Sequence, residues 1–199
     1  MDWFLYNYQL FLNKKMNNTR IYKDRIIGLL FLGAFLCYGI GRNLFESQNN
    51  SEQIIGSFLI ILNSIFVVYI GLFLRETIKS YHSPTANIYL LTRVIEALAL
   101  SSIIMNLIPT INISYDLGYH IAMLFLGIGS IPMCYVLYKN NIVANWMAIW
   151  GLIGYSLLSI GFFMELFGNE WSMYLLVIGG LWEITFGVRL IARLEKSSE

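Results

Sequence analysis

The sequence predicts an all-α membrane protein, a bundle of six transmembrane helices, and two observations carry that prediction. Hydrophobic residues make up 57% of the 199 residues and charged residues only 13%, whereas a water-soluble domain carries about 25% charged residues. The apolar residues also gather in blocks of about 20, the length that crosses a hydrocarbon core of about 30 Å. Because backbone groups in lipid must bond within their own segment, these blocks are predicted to be helices.

The first three spans are separated by short polar breaks. The first, 26–45, ends before the polar run 48–52. The second, 54–74, is followed by basic residues and by a turn at 82–84 that contains proline. The third, 87–108, runs from that turn to the next proline. Polar and proline-containing breaks of this kind are typical of loops between helices.

The last three spans follow the same pattern. The fourth span covers 118–138 and ends at the polar run 139–141. The fifth, 145–167, ends at 168–170, where Gly-Asn-Glu predicts a turn before the sixth span, 171–192. All the loops are short, so no soluble domain is predicted between the spans.

The two ends of the chain lie outside this pattern. Residues 1–15 are predicted to be an N-terminal extension, because their apolar run 3–12 is too short to span and fits an interfacial position. Met16 is an alternative start. The transmembrane domain is predicted over 16–194, followed by a C-terminal tail, 195–199.

The basic residues predict the orientation of the bundle. With six spans, one side carries eleven of the thirteen lysines and arginines, and Arg42 alone lies on the other. The positive-inside rule therefore predicts that both termini are cytoplasmic. The eleven are Lys14, Lys15, Arg20, Lys23, Arg25, Arg75, Lys79, Lys139, Arg189, Arg193 and Lys196.

Three charged residues lie near the middle of spans, where charge is costly and often marks a functional site. Arg93 and Glu96 are in the third span and Glu183 is in the sixth. At 1.5 Å per residue, the two glutamates lie at similar heights, about 14–15 Å from the side of the bundle that carries the termini. We predict that Arg93 pairs with Glu183 and that Glu96 is its second partner. Arg189 is expected to close this group on the side of the termini. Asn63, in the second span, is expected to contribute a polar side chain.

Small residues predict which helix faces pack closely. In three spans, glycines share one helical face with a charged residue, so these charges are expected to point into the bundle. The sets are Gly28, Gly39, Arg42 and Glu46; Gly151, Gly154, Gly161 and Glu165; and Gly180, Glu183 and Gly187.

A second polar group is predicted at the opposite end of the bundle from the termini. Its members are Arg42, Glu46, Glu165 and His120, with Tyr119 beside them. Charges at helix ends can reach the interface, so a structural role is favoured for this group. For the central group two interpretations stay open: a closed network that fixes helix register, or a site for a ligand or an ion.

Several kinds of chemistry lack the residues they need. The two histidines, His82 and His120, fall at opposite ends of the bundle, so neither a metal site nor bis-histidine haem ligation is predicted. No lysine or histidine lies near a serine in the middle of the spans, which excludes the usual serine-protease arrangement. No basic patch with aromatics predicts nucleic-acid binding. No cofactor is predicted. The one catalytic role that these residues leave open is acid–base catalysis by Glu96 and Glu183.

Four segments in order resemble a known family. They are Arg25 to Phe31, Arg93-Val94-Ile95-Glu96-Ala97, Asn145 to Gly151, and the Glu183 helix ending in Arg189. Together they are similar to the DUF4386 family of small bacterial integral membrane proteins, whose function is uncharacterised. The resemblance covers about 17–194. It implies six helices and an Arg-x-x-Glu pair in the third, and it implies no reaction and no substrate.

The sequence favours a multi-pass protein of the bacterial inner membrane that binds or transports a small polar or amphipathic molecule at the central Arg/Glu site. One alternative is an accessory or sensor protein whose buried charges are structural. The other is an intramembrane enzyme acting on a lipid. The expected partners are the bilayer, a small-molecule or lipid ligand, and a second copy of the chain or another membrane protein.

Overall fold

A computed structural model describes most of the chain. The described backbone is that of residues 2–108, 110–111, 115–165, 167–168 and 172–192, with side chains except at 2–21, 115–116 and 172–173. The predicted tail, 195–199, lies outside this part. The part that is described is mostly helical and contains no strand.

The described residues form six α-helices, and each contains a segment long and apolar enough to cross a membrane. The predicted fold class is therefore confirmed. The first helix begins at Asp2, so the predicted extension and the first span share one helix, and the interfacial position of 1–15 stays a prediction. The helices are α1 (Asp2–Phe45), α2 (Asn50–Lys79), α3 (Ser83–Ser101), α4 (Tyr115–Lys139), α5 (Asn145–Glu165) and α6 (Ser172–Ile191).

Two helices begin about one turn before the predicted spans, because polar caps lengthen them beyond their apolar blocks. The side chain of Asn49 accepts a hydrogen bond from the Ser51 amide at 3.0 Å and caps α2. His82 Nδ1 accepts one from the Thr85 amide at 3.2 Å and caps α3. Side chains that bond the first free amides of a helix are the usual caps. At its other end α3 changes to a 3₁₀ helix, Ser102–Leu107.

The helices form a closed ring. Each helix contacts the next along the chain, and α6 returns to contact α1. The ring brings inward-facing side chains of α1, α3, α5 and α6 to one place, and the largest fully buried ones are Trp182, Tyr89 and Tyr155. The central charges of α3 and α6 therefore face each other across a protein interior and not across lipid.

Glycines let the neighbouring helices approach closely, as their pattern predicts. A Cβ atom added to Gly56 of α2 would lie 2.6 Å from the Gly41 carbonyl oxygen of α1. Gly154 of α5 and Gly179 of α6 also face each other, with an added Cβ 3.1 Å from the Gly179 Cα. Contacts between backbones at such distances leave no room for a side chain.

The pair of α1 and α6 is close at one end only. Near the two termini, a Cβ on Gly28 would lie 2.5 Å from the Gly187 carbonyl oxygen. Three turns further along the same face of α1, a Cβ on Gly39 would meet nothing within 4 Å. On the same face of α6 as Gly187, Gly180 faces only the Phe35 ring, at 3.7 Å. The two helices thus diverge and leave an opening between them in the half away from the termini.

Candidate functional site

Arg93 is the centre of a hydrogen-bonded group formed by α3, α5 and α6. Its Nη1 donates to Glu96 Oε2 at 3.0 Å and its Nη2 to Glu183 Oε1 at 3.3 Å. Its Nε donates to the Tyr89 hydroxyl at 2.9 Å, and the Tyr155 hydroxyl donates to Glu183 Oε1 at 2.9 Å. We call these five residues the Arg93 cluster. Arg93 and Glu183 lie on antiparallel helices and contact each other, as predicted.

The cluster is sealed on the Arg93 side. The Arg93 and Glu96 side chains are 3% and 4% exposed, and Arg93 lies over the rings of Tyr89 and Phe31, with its Cζ 5.2 and 5.8 Å from their centroids. A guanidinium group over an aromatic face gains electrostatic stabilisation, and more when water is excluded. The cation is therefore held from several sides by partners of the protein itself.

The position of Glu183 is fixed by its neighbour in sequence. Trp182 is fully buried, stacks on Phe186 and donates from Nε1 to the Met147 carbonyl oxygen at 2.7 Å. Its ring also meets Tyr155 edge to face, with centroids 5.2 Å apart. A buried tryptophan with a satisfied N–H has little freedom. These contacts of Trp182 set the rotation of α6 about its axis, so that Glu183 faces Arg93 and Tyr155.

Glu183 differs from Glu96 in its exposure. Its side chain is 18% exposed, and within the described part of the chain its second oxygen, Oε2, has no hydrogen-bond partner. It lines a cavity of about 170 Å³ together with Arg93 and Glu96. An engineered cavity of about 150 Å³ binds benzene. The space beside Glu183 can therefore hold a chemical group of that size.

Asn63 of α2 is the second polar group at this cavity. Its side chain is buried, with the residue 2% exposed, and its Nδ2 has no hydrogen-bond partner among the described residues. A buried polar atom without a partner costs about 1–3 kcal/mol. The prediction that Asn63 contributes to the central group agrees with its place on this wall.

The remaining walls of the cavity are apolar and combine aromatic with aliphatic side chains. Phe31, Phe35 and Tyr38 of α1 line it, and Tyr119 of α4 faces them. The rings of Tyr38 and Tyr119 stack with centroids 5.7 Å apart. Gly39 and Gly180, the residues at which α1 and α6 separate, also line the cavity. The cavity therefore continues into the opening between these two helices, on the outer surface of the bundle.

The four residues of the predicted outer group come together as two pairs. Arg42 Nε donates to Glu46 Oε1 at 2.8 Å, and His120 Nε2 lies 3.2 Å from Glu165 Oε1. Tyr119 lies between the pairs, with the Arg42 guanidinium 5.5 Å from its ring centroid. The Arg42–Glu46 pair is partly exposed and lies at the end of α1, where ion pairs contribute little stability.

Arg189 does not join the Arg93 cluster, which corrects the prediction that it closes the group from below. Its guanidinium lies over the Trp146 ring, 5.9 Å from the centroid, and it lines a different cavity. Six residues separate Arg189 from Glu183 on α6. This spacing corresponds to about 9 Å along the axis and a different helical face.

Beyond the Arg93 cluster, towards the termini, the interior opens again. A cavity of about 360 Å³ is lined by Ile27, Leu74, Leu137 and Phe186, with Lys23 at its rim. Phe186 belongs to this cavity and Phe31 to the central one, and their rings meet edge to face at 5.6 Å. The two spaces are thus adjacent at this pair of aromatic rings. We call the second space the terminal vestibule.

Sequence reasoning missed the two tyrosines of the Arg93 cluster. Tyr89 precedes Arg93 by four residues, so the one-turn spacing on a helix was a usable signal for it. Tyr155 is on α5, and its contact with Glu183 depends on how α5 and α6 pack. Apolar helices commonly contain tyrosine, so no local pattern marks this one.

Comparison with known proteins gives one match. A model of the DUF4386 family, a domain of unknown function, matches residues 110–193. The matched segment contains the Asn145 to Gly151 motif and the Glu183 helix, whereas the Arg93 motif lies before it. The match supports the family predicted from the motifs over residues 110–193, a shorter segment than the predicted 17–194. Neither a curated protein nor a solved structure matches the chain.

Proposed function

We propose that this chain, whose residues 110–193 belong to the DUF4386 family, binds a small amphipathic molecule in the cavity beside Glu183. The proposal rests on the two oxygens of that carboxylate, which have different environments. One oxygen is held by Arg93 and Tyr155, and the other has no partner among the described residues, while the residue itself lines a largely apolar cavity. Pockets that combine apolar walls with a few converging polar groups are the usual form of small-molecule sites.

Arg93 itself is not the group that receives the ligand. A guanidinium has five N–H donors, and four hydrogen bonds to Tyr89, Glu96 and Glu183 already use it. Arg93 instead fixes the orientation of Glu183, and Glu96 balances part of its charge. One N–H of the guanidinium is left, which is too few for a paired contact with a ligand. The candidate ligand-binding groups are therefore Glu183 Oε2 and the Asn63 side chain.

The opening between α1 and α6 supports access from the bilayer. Phe35, which lies at this opening, is 50% exposed on the outer surface of the helices. An amphipathic molecule that resides in the membrane can place its polar end beside Glu183 and leave its apolar end in the opening. A water-soluble polar molecule would have to cross the same apolar surface at a desolvation cost.

Native mass spectrometry of the gently purified protein tests the proposal. We expect a bound small molecule on the wild type and a loss of roughly tenfold or more of that adduct in Glu183→Gln, because the charge that faces the cavity is removed. Glutamine keeps an oxygen that accepts from Tyr155, so the helix packing is preserved.

Glu165→Gln is the matched control, since Glu165 belongs to the outer group with His120 and not to the central cavity. Its adduct should equal that of the wild type. Gly39→Leu should reduce the adduct as Glu183→Gln does, because it fills the opening without meeting a neighbour. Equal adducts in all four proteins, or none in any, would refute the proposed site.

Transport is the second candidate function, and the terminal vestibule favours it. The central cavity and the vestibule are adjacent at the contact between Phe31 and Phe186. Alternating closure of two spaces around a central site is the general scheme of secondary transporters. With all three charged side chains ionised, the Arg93 cluster carries one net negative charge, which a proton would neutralise.

The transport candidate predicts that Phe186→Ala makes the protein leak protons. Proteoliposomes with an internal pH-sensitive dye would show faster dissipation of an imposed pH gradient in Phe186→Ala than in the wild type, since one ring of this contact is removed. Phe163→Ala, at an exposed aromatic of α5, should behave as the wild type. A Phe186→Ala protein that is folded and proton-tight would argue against a pathway past these rings.

The basic residues support a cytoplasmic position of both termini, in a bacterial inner membrane. Arg25, Arg75 and Lys139 lie at the same end of the bundle as the start of α1 and the end of α6. Cytoplasmic loops carry such an excess of Lys and Arg. A fluorescent reporter joined to the C-terminus is expected to be active, and an alkaline phosphatase reporter at the same place inactive; the reverse result would invert the orientation.

A further inference from the structure

We infer that the molecule bound beside Glu183 is a lipophilic amine: a protonated amine on an apolar chain or ring. This inference rests on the proposed function and names the chemical class of its ligand. Three features of the cavity carry it: its charge, its free hydrogen-bond acceptor and its aromatic walls.

The charge of the cavity selects a cation. Arg93 contributes one positive charge, and Glu96 and Glu183 contribute two negative charges, all within hydrogen-bond distance. The ionised cluster therefore carries one net negative charge in a setting where water is largely excluded. A carboxylate or phosphate ligand would add a second negative charge beside Glu183, and Arg93 has no bidentate pair of donors left for it. A monovalent cation brings the total to zero.

The free hydrogen-bonding atoms suit an ammonium group, which has three donors and no acceptor. Glu183 Oε2 is an acceptor without a partner in the described part of the chain. Asn63 also lines the cavity, and its side chain makes no hydrogen bond to a described residue. An amine placed beside α6 can donate to Glu183 Oε2.

The walls of the cavity favour the same class. Tyr38 and Tyr119 stack on one another, and Phe31 and Phe35 line the cavity with them. The faces of aromatic rings attract cations, and they do so more strongly where the cation is desolvated. The same rings exclude small inorganic cations, which would lose their hydration shell without gaining enough oxygen ligands.

The size of the cavity defines how much of the amine is enclosed. About 170 Å³ accommodates a head group and a few carbon atoms. The rest of an alkyl chain would pass between Gly39 and Gly180, where α1 and α6 are apart, into the bilayer. Because amphiphilic amines partition into membranes, the ligand would already be concentrated where the opening lies.

Three probes with the same chain and different heads test the class: octylamine, octanol and octanoate. Each would be titrated by calorimetry into the full chain in lipid nanodiscs, with empty nanodiscs as the blank for partitioning. We expect saturable binding of octylamine, about tenfold or more tighter than that of octanol, and no saturable binding of octanoate. Glu183→Gln should weaken octylamine about tenfold or more and leave octanol unchanged, and Glu165→Gln should change neither.

The outcomes separate this inference from the proposed function. If octanol or octanoate binds as tightly as octylamine and Gly39→Leu abolishes that binding, the cavity is a ligand site but the amine class is wrong. If octylamine binds equally to the wild type and Glu183→Gln, the carboxylate is not its partner and the inference fails. If none of the probes binds saturably, both the inference and the proposed amphiphile site are overturned.

Discussion

Arg93→Met is expected to destabilise the folded protein by about 3–5 kcal/mol, the usual cost of removing one partner from a buried ion pair. Methionine fills nearly the same volume, so the effect reports the lost charge. Without the guanidinium, Glu96 and Glu183 would remain in the interior as two like charges without a cation. The Tyr89 hydroxyl would also lose the donor that now lies 2.9 Å away.

Unfolding in mixed micelles with increasing dodecyl sulfate, followed by circular dichroism, would measure this change. Arg75→Met is the matched control, because the Arg75–Glu76 pair is 3.5 Å apart with Glu76 largely exposed, and such pairs contribute about 0–1 kcal/mol. Adding Glu96→Gln to Arg93→Met should recover part of the loss, since the two residues share one network. A change in Arg93→Met no larger than in Arg75→Met would show that the cluster does not hold the bundle together.

Gly56→Ala is expected to destabilise the protein by about 3 kcal/mol, at the upper end of the usual cost of overpacking. The added methyl group would lie 2.5 Å from the Phe45 amide nitrogen and 2.6 Å from the Gly41 carbonyl oxygen. Both atoms belong to the backbone of α1, so no side-chain rotation relieves the contact. The helices α1 and α2 would have to separate.

Gly39→Ala, on α1 beside the opening to α6, is the opposite case and serves as the control. A Cβ at Gly39 meets nothing within 4 Å, and alanine favours the helix over glycine by about 1 kcal/mol. This change should therefore leave stability unchanged or raise it, in the same micelle unfolding measurement. If Gly56→Ala and Gly39→Ala were equally tolerated, the close approach of α1 and α2 would not exist in the protein.

Arg93→Met and Gly56→Ala test two different features of the bundle, its central charges and its close helix contacts. Closely approaching glycines hold neighbouring helices in a ring, and the ring places Arg93 and two glutamates in its centre. The ring is loose where α1 and α6 diverge, beside Gly39 and Gly180. Stability and access to the cavity therefore depend on different glycines, which allows each to be changed without the other.

The sequence by itself determined the six helices, their order and their approximate ends, because the length of an apolar block and its polar breaks are local properties. It also placed Arg93 and Glu183 at one height on antiparallel helices, which predicted their pairing. Its glycines predicted close helix faces, and Gly28 with Gly187 forms one.

Only the tertiary structure decided which helices are neighbours and how each is rotated. That decision brought Tyr155 to Glu183, turned Arg189 away towards Trp146 and left Gly39 beside an opening instead of a helix. It also left Glu183 Oε2 without a hydrogen-bond partner among the described residues. These features depend on contacts between residues far apart in the chain, and hydropathy and helical spacing carry no information about such contacts.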